Sequence, residues 1–186
     1  MTLRQIWSSL VAAFLVSWSV VAAATVVKAA SLAQLVAASD SIVVGMPVDA
    51  SSSYASLGGS KLLVTDTRIE ISRSLRGQVA VGQTLRVRTL GGRIGEIAQI
   101  VPGEARLDLG QSCLLFLRKN RSGLFRVAGM AQGQYPLWRD AAGTLRLRAS
   151  QNLDKVLDPA GSGAVHLLSG RTLSEVEGLV RLGTSL

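Results

Sequence analysis

The chain has 186 residues and a formal net charge of +8, with one cysteine and one histidine. This composition excludes an intramolecular disulfide and leaves too few nitrogen and sulfur ligands for a histidine-based zinc site. The histidine, His166, stands in no nucleophile motif, which disfavours hydrolases of the serine or cysteine type. We therefore expect no catalytic residue, metal or cofactor of these kinds.

Residues 1–24 have the pattern of a secretory signal peptide. Arg4 gives a positive start, residues 10–21 are apolar apart from two serines, and residues 22–24 offer a small-residue cleavage site. Cleavage after Ala24 predicts a periplasmic or extracellular protein with no stable membrane insertion. The alternative is an uncleaved membrane anchor, because an apolar stretch of this length nearly spans a bilayer.

The rest of the chain, residues 25–186, is predicted to form a single β-rich domain. Its core covers 41–150, and an irregular segment and a C-terminal helix follow in 151–186. Short alternating segments separated by glycine turns indicate many short strands. The pattern predicts a mainly β fold, a small antiparallel barrel or sandwich of OB-like type, with a short N-terminal and a short C-terminal helix.

The first elements of this domain are a helix capped by Ser31 and a strand that begins near Ile42. Pro47 limits that strand to an edge or a bulge. Residues 49–60 are rich in serine and glycine and predict a mobile loop. Residues 61–72 then alternate in polarity and predict a long strand with one buried face.

The segment from Gly110 to Lys119 is predicted to be the central strand. It contains five consecutive apolar residues, which indicates a strand buried on both faces. Cys113 begins this run, so we expect an unreactive core thiol. A hairpin follows over 132–148, and a capping box at 172–175 opens the final helix.

Five short motifs follow one another along the chain: Ser39-Asp40-x-Ile42-Val43-Val44-Gly45, Leu75-Arg76-Gly77, Gly91-Gly92, Gly110 with Leu114-Leu115-Phe116-Leu117, and Gly129-x-x-Gln132-Gly133. In this order they resemble an uncharacterised family of exported bacterial proteins. The first four elements also resemble, more distantly, netrin-like domains of the tissue-inhibitor-of-metalloprotease type, which are OB-fold barrels. The resemblance covers about residues 31–138 and implies a barrel. It implies no protease inhibition, because those inhibitors place an N-terminal cysteine on the metal and the predicted mature chain begins at Thr25.

Arginines give the positive signal for binding. Arg86, Arg88, Arg126, Arg146 and Arg148 occupy outward positions of alternating strands. If those strands are neighbours, the arginines form a basic stripe. The alternative is the ordinary polar face of a one-sided antiparallel sheet.

Carboxylates are the remaining catalytic option. Glu96, Glu104 and Asp108 precede the central strand, and Asp154 and Asp158 form a later pair. Paired carboxylates can do acid–base chemistry, and three acids in a loop can hold calcium. The spacing does not match a calcium loop, so we expect solvated charges.

These observations favour an exported, non-catalytic binding or interaction module of the bacterial cell envelope. Its partner would be a protein or an anionic envelope polymer. The alternatives are a carboxylate-based enzyme and an anionic-polymer binder that uses the arginine stripe. Nucleic acid is disfavoured, because single-strand binding on such a barrel needs aromatic platforms that are scarce here. A monomer is expected.

Overall fold

A computed structural model describes residues 27–153, 156–158 and 161–183. The predicted signal peptide, its cleavage site and Asp154 lie outside these ranges. The strands are β1 Val27–Lys28, β2 Ser41–Leu57, β3 Ser60–Arg76, β4 Thr84–Leu90, β5 Gly92–Ile94, β6 Ile97–Gln99, β7 Cys113–Lys119, β8 Phe125–Val127, β9 Gln134–Arg139, β10 Leu145–Leu147 and β11 Val156–Leu157. The helices are α1 Leu32–Ala37, a 3-10 helix Met130–Gly133, α2 Ala164–Leu168 and α3 Leu173–Gly183.

Seven strands form one sheet in the order β10-β9-β7-β2-β3-β4-β8. Strand β8 also pairs with β7, so five strands close into a ring. The closing contact is a parallel one between β4 and β8, where Val87 lies beside Phe125. This five-stranded ring is the small OB-like barrel predicted from the sequence.

Strand β7 is buried on both faces, as its apolar run predicts. On one face, Leu115 and Leu117 pack inside the barrel with residues of the neighbouring strands. On the other face, Leu114 and Phe116 pack under the helices. All four side chains are fully buried, so β7 joins the two hydrophobic cores of the domain.

Helices α1 and α3 each begin at a capping motif that is visible in the sequence. Ser31 and Gln34 form a reciprocal capping box at the start of α1. The backbone N–H of Thr172 donates to the Glu175 carboxylate, and the Glu175 N–H donates to the Thr172 hydroxyl. These caps satisfy N–H groups that the first helical turn leaves without partners. Helix α2 was not predicted, because it lies in the segment expected to be irregular.

The prediction of a mobile loop over residues 49–60 is wrong. Strand β2 continues through this segment and pairs with β3 as far as Leu57 opposite Ser60. Gly58 and Gly59 connect the two strands, and both have the positive φ that a tight hairpin turn requires. The register shift at Pro47 is the predicted bulge. Pairing with β3 therefore overrides the turn preference of the serines.

Two buried glutamine side chains fasten loops to the barrel. The Gln132 amide accepts from the Ala30 N–H at 2.7 Å and donates to the Lys28 carbonyl at 3.1 Å. The Gln134 amide accepts from the Arg106 N–H at 2.9 Å and donates to the Arg106 carbonyl. Each side chain pairs as a strand backbone would, which holds the N-terminal segment and the loop before β7 in place.

Candidate functional site

Strand β4 presents arginines on the outside of the barrel. Leu85 and Val87 are buried in the inner core, whereas Arg86 is exposed and Arg88 is partly exposed. The period of two in a strand sends alternate side chains to opposite faces, which explains this division. The outward positions of β4 predicted from the sequence are thus confirmed.

Register with the neighbouring strands adds more arginines to the same outer surface. Arg68 of β3 lies directly opposite Arg86. On the other side of the ring, Arg126 of β8 lies directly opposite Arg118 of β7. We call this surface the arginine face, and it consists of Arg68, Arg86, Arg88, Arg118 and Arg126.

The arginine face places like charges opposite one another in two ladders. Arg68 faces Arg86 and Arg118 faces Arg126, in antiparallel pairs whose side chains share one face. Like charges in directly opposite positions are destabilising, by about 0.2–1 kcal/mol for each pair. If these side chains served only solubility, opposite charges at these positions would give the fold more stability.

One arginine of the face has a carboxylate partner of good geometry. Arg88 donates from Nε and Nη2 to the two oxygens of Asp66, each at 2.6 Å. The two side chains are 19% and 15% exposed. This bidentate hydrogen bond lowers the pKa of Asp66, and it raises that of Arg88. Arg88 is thus a fixed part of the face.

The remaining arginines of the face are not held by a bidentate bond of this kind. Arg68 meets Asp49 only in an exposed 3.4 Å contact. Within the part of the chain that the structure describes, Arg86, Arg118 and Arg126 have no carboxylate oxygen within 4.0 Å.

Glu104 is a carboxyl group whose pKa is affected by Arg126 of this face. Burial raises the pKa of Glu104, while hydrogen bonds from the backbone N–H groups of Ala105 and Leu90 and the charge of Arg126 oppose the rise. The Asn152 side chain also donates to the Glu104 carbonyl at 3.0 Å. Glu104 is therefore held in the loop before β7, beside the arginine face.

A pocket of about 330 Å³ adjoins the face where β4 begins and the β7–β8 turn ends. Arg86 and Lys119 are its charged lining residues, and no carboxylate lines it. The Lys119 ammonium lies 5.5 Å from the centre of the Phe125 ring. The pocket thus extends the positive surface into a concavity.

The structure does not bring Arg146 and Arg148 to this face. They lie on or directly after β10, which pairs with β9 and is separated from the ring by it. Arg146 donates to Asp140 at 2.6 Å, and this bond lowers the pKa of Asp140. Arg148 lies 5.8 Å from the centre of the Trp138 ring. The five predicted arginines therefore fall into two groups.

The predicted carboxylates do not converge. Glu96 is exposed in the turn between β5 and β6, and Asp108 pairs with Arg106 at 2.8 Å. Asp158 accepts from the backbone at the start of α2 and lies 3.6 Å from His166. In residues 27–153, 156–158 and 161–183, no three His, Cys, Asp or Glu side chains are placed to hold a metal ion.

Cys113 is buried inside the barrel, as predicted. It is 1% exposed, and burial raises its thiol pKa to about 12. A thiol with this pKa has a negligible thiolate fraction at neutral pH. We expect a thiol reagent to label it only after denaturant is added, and rapid labelling in buffer would contradict this.

Sequence reasoning missed Arg68 and Arg118. Arg68 lies between the buried residues Thr67 and Ile69 of β3, so the alternation of this strand alone could have assigned it an outward position. Arg118 closes the apolar run of β7 and looks like a strand end. Only the register of β7 with β8 shows that it shares a face with Arg126.

Comparison with known proteins gives no match to a protein family, a curated protein or a solved structure. The resemblance to exported bacterial proteins and netrin-like domains therefore stays a prediction. None of the helices in the described part of the chain has the length and apolar character needed to cross a membrane.

Proposed function

We propose that this domain is an exported, non-catalytic binding module that holds an anionic polymer of the bacterial cell envelope on its arginine face. The observation that carries the proposal is the presence of two like-charge cross-strand pairs, Arg68 opposite Arg86 and Arg118 opposite Arg126. This arrangement costs stability in the free protein. A bound polyanion would remove the repulsion, so the cost becomes part of the binding energy.

The dimensions of the face favour a polymer over a small anion. The arginines are spread over four adjacent strands of the five-stranded ring, and at about 4.8 Å per strand spacing they cover about 14 Å measured around the barrel. A guanidinium group donates two parallel hydrogen bonds to a phosphate or a carboxylate. Repeated acidic groups along one chain would therefore satisfy several arginines together, and the pocket beside Arg86 and Lys119 would take a terminal group.

Binding can be measured by fluorescence anisotropy with labelled polyphosphate, and with labelled polygalacturonate as the carboxylate counterpart. If the four arginines other than Arg88 each engage one acidic group, log K should fall against log[salt] with a slope of about −3 to −4. The stronger of the two probes identifies the acidic group. Affinity that is independent of salt for both probes would overturn the proposal.

Matched variants locate the binding surface. Arg86→Gln with Arg118→Gln removes two exposed, unpaired cations of the face and should roughly halve the salt slope. Arg93→Gln with Arg148→Gln removes the same charge elsewhere and should leave the slope nearly unchanged. Equal losses in the two double variants would mean that net charge alone, and not this face, attracts the polymer.

Export has its own test. The protein recovered after expression in a bacterium should begin at Thr25 when its mass is determined. An intact Met1 in the membrane fraction would show instead that the N-terminal segment is retained as an anchor.

A further inference from the structure

A second pocket lies beside strand β9, away from the arginine face. Tyr135 and Leu137 of this strand point into the core under the helices. Pro136 and Trp138 lie on the opposite face, because side chains alternate along a strand. The loop before β7 forms the other wall of a pocket of about 100 Å³. We call it the tryptophan pocket, and the lining side chains that matter below are Arg106, Asp108, Gln111, Pro136 and Trp138.

The indole of Trp138 gives this pocket a flat apolar wall. Trp138 is 38% exposed, whereas Phe116 and Tyr135 are fully buried. The face of an aromatic ring is negative, so it attracts the weakly positive hydrogens of C–H groups. Pro136, two residues earlier on the same face of β9, extends the apolar surface. The Arg148 guanidinium, 5.8 Å from the ring centre, occupies at most one of the two ring faces.

The polar wall of the tryptophan pocket combines hydrogen-bond donors with acceptors. Asp108 accepts from Nε of Arg106 at 2.8 Å, and both side chains are about half exposed or more. A carboxylate accepts several hydrogen bonds and a guanidinium group donates five, so this pair keeps capacity for a ligand. The Gln111 amide nitrogen donates to the carbonyls of Ser112 and Leu137, so its oxygen is the acceptor it offers.

We infer that the tryptophan pocket binds a neutral sugar ring whose substituents are equatorial, as in glucose and N-acetylglucosamine. Such a ring presents axial C–H groups on its faces, and these pack against a flat indole. Each sugar hydroxyl both donates and accepts, which matches a wall that mixes donors and acceptors. A charged ligand fits less well, because Arg106 and Asp108 place opposite charges side by side.

Sugar binding at this pocket does not depend on the proposed function. Strand β9 lies outside the five-stranded ring, and none of the arginines of the arginine face lines the pocket. A neutral sugar releases no counterions, so its affinity should be independent of salt. The arginine face should instead show a salt slope of about −3 to −4, which separates the two sites in one protein.

Tryptophan fluorescence of the exported chain tests the inference directly. Trp138 is the only tryptophan after residue 24, and subtracting the signal of Trp138→Phe corrects for Trp7 and Trp18 if they are retained. Titration with cellotetraose and with chitotetraose should give a saturable change in emission for at least one sugar, with the same midpoint at low and high salt. No saturable change at millimolar sugar, or a midpoint that moves with salt, would overturn the inference. Tighter binding of adenosine than of either sugar would overturn it as well.

Calorimetry on matched variants locates the sugar. Trp138→Ala should weaken binding at least about tenfold, whereas Tyr54→Ala, which removes an exposed aromatic ring from the β2–β3 hairpin, should leave it unchanged. Asp108→Ala changes an exposed side chain and should also weaken binding about tenfold, so it decides the matter if Trp138→Ala does not fold.

Unchanged affinity in Asp108→Ala, or equal losses in Trp138→Ala and Tyr54→Ala, would overturn the inference. Polyphosphate binding by the same samples separates the two proposals. If polyphosphate binds and neither sugar does, only the sugar site is lost, and the reverse result removes only the proposed function.

Discussion

The outer surface of the barrel has a covered half, which lies under the helices, and a bare half, which carries the arginine face. Strand β7 contributes residues to both halves. Its outward residues Leu114 and Phe116 lie under the helices and are fully buried. Arg118, the next outward residue, is exposed on the arginine face. One strand thus supplies an apolar contact surface and a charged one.

The two halves differ in how their charges are treated. Two arginines next to the covered half have partners within the chain: Arg146 pairs with Asp140, and Arg148 lies against the Trp138 ring. On the bare half, Arg118 and Arg126 face each other instead. Solvated cations near a helix-covered region are thus matched by the protein itself. Among the described residues, Arg86, Arg118 and Arg126 have no carboxylate oxygen within 4.0 Å. Three predictions test this difference.

The largest expected effect is on the covered half. Phe116 packs edge-to-face on Tyr135 and is fully buried. Phe116→Ala should lower the free energy of unfolding by about 3–5 kcal/mol, because it leaves a cavity. Arg118→Ala, two residues along the same face, should change it by less than about 0.5 kcal/mol. Urea unfolding measures both, and similar midpoints for the two variants would contradict the division into halves.

The next effect concerns the bidentate pair of the arginine face, Arg88 with Asp66. The folded-state pKa of Asp66 lies below its ordinary 3.8, mainly because of the hydrogen bond from Arg88. The stabilisation is therefore full above pH 3.8 and is lost as the pH falls through the folded pKa. Asp66→Asn should cost about 1–2 kcal/mol at pH 7.

That cost should shrink as the pH is lowered below 3.8, because the wild-type carboxylate then becomes protonated as well. Unfolding by urea at several pH values, for wild type and variant, gives the difference directly. A difference that stays constant down to pH 2 would mean that Asp66 acts through packing instead of through its charge.

The smallest effect is the most specific to the bare half. Arg118→Glu replaces a repulsive cross-strand pair with an attractive one and should raise stability by about 0.2–1 kcal/mol. The same change should weaken polymer binding. Arg121→Glu, in the β7–β8 turn, makes the same charge change outside the ladder and serves as the control. Equal gains from both would show that lower net charge, and not the facing arginines, is responsible.

The sequence predicts those features that depend on local pattern. The apolar run at Leu114–Leu117 predicts the doubly buried strand, and the capping box at Thr172 predicts the start of α3. The outward positions of Arg86 and Arg126 follow from alternation in the same way. All of these depend on residues a few positions apart, where the periods of strand and helix apply.

The remaining features depend on pairing between distant segments. The serines from Ser51 to Ser53 have turn-forming preferences, and they form a strand because β3 supplies their hydrogen bonds. Likewise, the split between Arg126 and Arg146 follows from the sheet order, which places β9 between β10 and the ring. Alternation shows which way a side chain points and carries no information about which strand lies beside it.

The closure of the ring has a dynamic consequence. Strands β4 and β8 meet in a single registered pair, Val87 with Phe125, whereas β2 and β3 share a ladder along nearly their whole length. Local opening should therefore begin at this seam, and amide protons of β8 should exchange with solvent sooner than those of β3. Arg86 and Arg126 stand on either side of the seam. A polyanion bound to both arginines would hold β4 and β8 together, and the exchange of the β8 amides would be slower in its presence.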